Sequence, residues 1–167
     1  MFRNIPWFAG LLIILAGCQS YPQRLNLSYD PGGRGVNSPA AELSPQYVGN
    51  YLVFVSDRNG SPDLYLFDTL SQRFLDLPGL NSLATTIADP SISEDGRYIA
   101  YLGSRLGLAD VYVYDRETAL SRNLTEGLQA QVRHPVISAD GGAIAFEANQ
   151  TGQWDILIYD RDGNALD

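Results

Sequence analysis

The 167-residue sequence predicts an all-β protein assembled from one unit repeated three times, each unit four antiparallel strands. Three observations predict it. The segments VGNYLVFVSDRNGSPDLYLFD (48–68), DGRYIAYLGSRLGLADVYVYD (95–115) and DGGAIAFEANQTGQWDILIYD (140–160) align without a gap. Gly occurs 16 times and Pro 9 times, as a chain with many turns requires. Finally, the strands DLYLFD, DVYVYD and DILIYD have no polar face between their acids. A strand with one wet side alternates apolar and polar residues, so these three expect cover on both sides.

In chain order, residues 1–17 read as a signal peptide. MFRNIPWFAGLLIILAGC has one positive charge at Arg3, then an apolar stretch from Ile5 to Ala16 that is too short to span a bilayer and ends in small residues. Leu15-Ala16-Gly17-Cys18 resembles the bacterial lipobox. That resemblance implies a diacylglycerol on Cys18 and a cut just before it, which leaves residues 18–167 with a formal charge of −9, against −8 for the whole chain. It also implies a lipid-anchored protein on the periplasmic side of a bacterial envelope. Gln19, where inner-membrane retention commonly uses Asp, points to the outer membrane. Residues 18–42 are rich in Pro, Gly, Ser and Asn and read as a tether, with one alternating patch at 24–28 that reads as a short strand.

Residues 43–167 hold the three units, about 43–85, 86–131 and 132–167. A first strand (PSIS, PVIS) leads into Asp95-Gly96 or Asp140-Gly141, a turn pair in which Gly takes positive φ. The second strand is YLVFV, YIAYL or AIAFE. A six-residue loop with Gly60, Gly107 or Gly152 follows, then the third strand, opening on Asp63, Asp110 or Asp155. Fourth strands are expected at RFLDL (73–77) and RNLT (122–125). The first unit departs upstream, with Leu43 where the others carry Pro90 and Pro135. Four antiparallel strands at a period of about 45 residues make one blade of a β-propeller, a sheet packed face to face between neighbouring sheets.

The pattern Pro-x-x-Ser-x-Asp-Gly-x-x-Ile-Ala-Phe/Tyr, then Gly-x-x-Asp followed by alternating apolar residues and Tyr-Asp, resembles the repeat of the TolB-like, or WD40-like, β-propellers. HPVISADGGAIAFEANQTGQWDILIYD (134–160) follows it nearly throughout, and the resemblance covers about residues 43–167. It implies the propeller fold; such propellers serve in envelope scaffolds, in peptidases and in binding proteins. Three blades do not close a ring, and the third is expected to lack its outer strand. Two chains joined head to tail as a six-bladed homodimer, each 24–28 strand completing the partner's third blade, is the expected remedy. An open unit capped by another envelope protein is the alternative.

Chemistry is sparse. With 11 Arg, no Lys and 19 acids, the chain lacks the basic clusters that nucleic acid requires. His134 is the only His and Cys18 the only Cys; no two such residues have metal-ligand spacing, and SADGG (138–142) lacks the ligand series of a calcium loop. Neither a Gly-x-Ser-x-Gly elbow nor a phosphate loop occurs, so no enzyme and no cofactor are expected. The members of each Asp pair (63/68, 110/115, 155/160) sit an odd number of positions apart, hence on opposite faces, and are expected to cap turns. The remaining candidates are Arg58, Arg105 and Trp154 in the loops between second and third strands, residue types suited to a protein or peptide partner. The expected function is a membrane-anchored, non-enzymatic binding scaffold; the alternatives are an accessory propeller of an envelope peptidase or hydrolase, or a glycan-binding module.

Overall fold

The computed structural model describes residues 28, 30–82 and 84–166. The signal segment, Cys18 and the expected strand at 24–28, except Ser28, lie outside the described residues. Eleven strands form three antiparallel sheets, and the described residues contain no helix. Blade 1 has the order β1(Glu42–Val48), β2(Tyr51–Ser56), β3(Asp63–Asp68), β4(Arg73–Leu75). Blade 2 repeats it with β5(Thr86–Ile92), β6(Tyr98–Arg105), β7(Leu108–Asp115) and β8(Leu120–Asn123). Blade 3 has β9(Gln131–Ile137), β10(Ala143–Asn149) and β11(Asp155–Asp160). The three sheets form an incomplete propeller.

The third strands of blades 1 and 2 bury what their alternation assigns, whereas DILIYD of blade 3, expected to be covered on both sides, leaves Ile156 and Ile158 exposed. Val53, Val55, Leu64 and Leu66 of blade 1 pack on Ile99, Tyr101 and Tyr114 of blade 2, with Ile87 and Ile92 completing the layer. Ala100, Leu102, Val111 and Val113 on the other side of blade 2 pack on Ile144, Phe146 and Ala148 of blade 3. Each blade thus turns an aliphatic face forward onto the aromatic-bearing face of the next, and the two cores lie between blades rather than within them. Full burial of one such side chain contributes about 1.5–3 kcal/mol.

The blades also share a rim contact. Tyr51 lies over Gly96 of the next blade, where an added Cβ would fall 2.4 Å from its ring, and Arg116 reaches over the same ring at 5.8 Å. Tyr98 repeats this over Gly141, at 2.6 Å, with Arg161 at 4.1 Å. Gly96 and Gly141 both have φ of 71°, so the turns need glycine for conformation as well as for space.

Three expectations change in detail. Pro45, not Leu43, is the counterpart of Pro90 and Pro135. Ser44-Pro45, Asp89-Pro90 and His134-Pro135 each form a bulge of two residues opposite one aromatic, Phe54, Tyr101 or Phe146. The gapless alignment misses this because Val48 pairs with Tyr51 across a two-residue turn in blade 1, whereas Ile92 pairs with Ile99 in blade 2. The second-to-third-strand loop of blade 2 is only Leu106-Gly107, closed by the Arg105–Leu108 pair. The fourth strand of blade 2 starts at Leu120, earlier than expected. Blade 3 has three strands among the described residues, as expected, with one bridge beyond them: Tyr159 pairs with Ala165, and Leu166 N–H donates to Ile158 O at 2.7 Å.

Candidate functional site

The first strand of each blade is the inner edge of its sheet, and β1, β5 and β9 lie side by side. They are stitched by side chain to backbone bonds: Ile92 N–H donates to Gln46 Oε1 at 2.5 Å, and Ile137 N–H to Ser91 Oγ at 3.0 Å. The bulges therefore line up. Ser44, Asp89 and His134, each followed by Pro, take left-handed φ of 47°, 45° and 51°. Non-glycine residues rarely adopt this conformation, and here each of three blades uses it at the same point. Together with Gln46, Ser91 and Val136 the bulges line a shallow groove of about 280 Å³.

The polar side chains of this row fall into two linked sets. Ser44 Oγ donates to Asp89 Oδ1 at 3.1 Å, so the serine serves a carboxylate rather than an imidazole. His134 Nδ1 lies 3.3 Å from Glu147 Oε1, and Arg133 Nε donates to Glu147 Oε2 at 2.5 Å. The Arg133 hydrogen bond, and secondly that of His134, hold the Glu147 carboxyl below its ordinary range. The Arg133 guanidinium stacks 3.9 Å over the ring of Trp154. A continuous polar and aromatic path thus runs from the inner groove through His134, Glu147 and Arg133 to Trp154, with the His134 side chain 60% exposed. Among the described residues no group of three metal-ligating side chains comes together.

The three loop candidates part company. Trp154 joins the row just described. Arg105 is exposed at the end of β6. Arg58 is turned inward and has another task, as its side chain is only 9% exposed and pairs with Glu42 at 3.0 Å. It donates to the carbonyls of Gly35 and Val36 at 2.9 and 2.7 Å and lies over the rings of Phe54, Tyr65 and Phe74. The aromatic face of blade 1 is in this way covered by a strap, residues 30–38, of which Val36 is buried against Phe54 and Phe67. Arg58 therefore leaves the set of residues offered to a partner. Sequence pattern could not reveal this, because nothing in it says where a segment some twenty residues upstream will lie.

The recurrent acids divide their work. Asp68, Asp115 and Asp160 accept backbone N–H bonds from Leu70, Glu117 and Asp162, each at 2.9 Å. Asp63, Asp110 and Asp155 instead accept from side chains, those of Ser61, Thr125 and Gln153. Backbone capping belongs to the second acid of each pair. Gly60, Gly107 and Gly152 occupy the loops at φ of 88°, 83° and 87°.

This architecture has counterparts among solved structures. TolB from Acinetobacter baumannii superposes with a TM-score of 0.62 at 24% identity, over 78% of this chain and 33% of that one. The β-propeller domain of the Trilobed protease from Pyrococcus furiosus gives 0.57 at 17% identity, over 77% and 42%. A puromycin-hydrolyzing peptidase of Mycobacterium tuberculosis gives 0.55 at 19%, over 76% and 20%. No protein-family model and no curated protein matches the chain. The fold is that of TolB-like and peptidase-type β-propeller domains, of which this chain spans between a fifth and about two-fifths of the whole neighbouring chains.

Proposed function

We propose that this chain is a binding scaffold, tethered through Cys18 to the periplasmic side of a bacterial envelope membrane, that holds a protein or peptide along the groove of its inner strands. The observation carrying this reading is the row Ser44, Asp89 and His134, continued by Glu147 and Arg133 to Trp154. It offers acceptors, an imidazole and an aromatic anchor along one line, a composition that suits peptide recognition. The TolB-like and peptidase propellers among its structural neighbours support a scaffold and, more loosely, an accessory role beside a peptidase. No helix among the described residues is long and apolar enough to cross a membrane. In this reading the lipid on Cys18 is the anchor. The test is crosslinking in intact envelopes followed by capture of the chain. His134→Ala combined with Trp154→Ala is expected to lose a crosslinked species that the parent chain retains; unchanged capture sinks the reading. In the same cells Cys18→Ala is expected to move the chain out of the membrane fraction.

A further inference from the structure

The two terminal faces of the blade stack are unequal to the internal ones, and each carries one residue that breaks the pattern. On the forward face of blade 3, Ile156 and Ile158 occupy the positions of Leu64 and Leu66 in blade 1 and of Val111 and Val113 in blade 2. Those four are between 0% and 6% exposed, whereas Ile156 and Ile158 are 65% and 43% exposed, with Val136 beside them. The exception is Glu147, which stands where Val55 and Leu102 stand. On the rear face of blade 1, Leu52, Phe54, Tyr65 and Phe67 repeat the apolar set that blades 2 and 3 present to the blade before them. The exception there is Arg58, turned inward over Phe54 and Tyr65, whereas its counterpart in blade 2, Arg105, is exposed.

The two exceptions correspond. Within the chain, Val55 belongs to the same core as Tyr101 of the following blade. A third junction of that kind brings Glu147 to Phe54, the counterpart of Tyr101, directly below Arg58. The two faces match: bare aliphatics meet aromatics, and an acid now held by Arg133 and His134 meets a base now held by Glu42.

We propose that two copies of this chain close head to tail into a six-bladed ring, blade 3 of each packing on blade 1 of the other. Residues 30–38 are then a placeholder, holding the rear face of blade 1 until the partner arrives. The strap suits that role. It buries one apolar side chain, Val36, while the incoming face brings Ile156, Ile158 and Val136. Its grip on Arg58 is made of backbone carbonyls, and Glu42 holds the place that Glu147 of the second copy would take. Six blades lie within the usual range for closed rings. The ring also doubles the inner row of Ser44, Asp89 and His134 around a common channel.

Two contacts of the internal junctions have no counterpart at the new one. Ala143 replaces the rim tyrosines Tyr51 and Tyr98, matched by Thr69 where Arg116 and Arg161 stand, and Val136 offers no acceptor where Gln46 and Ser91 do. The junction between chains is therefore the weaker one, and the ring opens on dilution before the blades separate.

The test is the mass of the purified full chain in detergent, measured by light scattering across a dilution series with no other protein present. A failure to bind an outside partner therefore leaves the result untouched. A dimer dissociating to a folded monomer is expected. Ile156→Asp and Glu147→Arg should each weaken it at least about tenfold, and Glu147→Arg with Arg58→Glu should recover most of the loss. Glu147 is at the surface, so circular dichroism of its variant separates lost association from lost folding. A monomer at every concentration overturns the ring, as does a dimer indifferent to Ile156→Asp and Glu147→Arg.

Discussion

Gly96 and Gly141 show how one atom can hold two blades together. A methyl group at either would enter a tyrosine ring of the preceding blade, at 2.4 and 2.6 Å, and would sit on backbone of positive φ. Gly60 has the same kind of backbone, at φ of 88°, but nothing within 4 Å. Substitution by Ala is therefore expected to cost about 1 kcal/mol at Gly60 and about 2–4 kcal/mol at Gly96 or Gly141, read as the shift in urea midpoint. Equal costs at all three would mean that the tyrosine contact contributes nothing. At this scale the sequence was legible where a residue type is tied to backbone shape, as with these glycines. It was illegible at Ser44 and His134. Their left-handed backbone becomes visible only when the units are aligned at a constant spacing through the polar-Pro pairs, and the Gly positions pull the alignment off by two.

The Ser-x-Asp-Gly turn between first and second strands recurs in blades 2 and 3, while blade 1 turns through Gly49-Asn50. In blade 2, Ser93 Oγ donates to Asp95 at 2.6 Å and accepts from Tyr98 N–H, while Arg97 N–H donates to the same carboxylate. Blade 3 repeats this with Ser138, Asp140, Gly142 and Ala143. The serine hydroxyl first, and the backbone N–H second, hold both carboxyls below the ordinary value of 3.8. A group with a lowered folded value stabilises the fold at pH above its unfolded value, and that contribution is lost as pH falls through the folded one. Stability is thus expected to drop as pH falls below about 4, with a shallower fall in Asp95→Asn/Asp140→Asn, measured as denaturant midpoint against pH. An unchanged slope would exclude these turns as the source. Strand identity and facing were readable from alternation, whereas loop length was not: Leu106-Gly107 closes blade 2 in two residues because Arg105 and Leu108 extend the ladder.

For the whole molecule, cores placed between sheets make the blades interdependent. Blade 2 contributes Tyr114 and Tyr101 to one core and Val111 and Leu102 to the other, so it cannot lose its packing without exposing both neighbours. One cooperative calorimetric transition is expected for the three blades, and two separated ones would show that a blade stands alone. That the sheets pack face to face was evident in the sequence, since DLYLFD and DVYVYD have no polar face between their acids. The strap was not, because a Gly- and Pro-rich segment has no periodicity to announce the surface it will cover, and Arg58 looks like any loop arginine until Val36 lies beside Phe54.

The bulges carry one more consequence. The inner strands β1, β5 and β9 are sheet edges, and an unprotected edge invites any extended chain to pair with it. Here the edge is bent by a left-handed residue and then deprived of a donor, because Pro45, Pro90 and Pro135 have no N–H. If the groove binds a polypeptide as proposed, that chain finds no continuous ladder to extend, and side chains have to supply the selectivity.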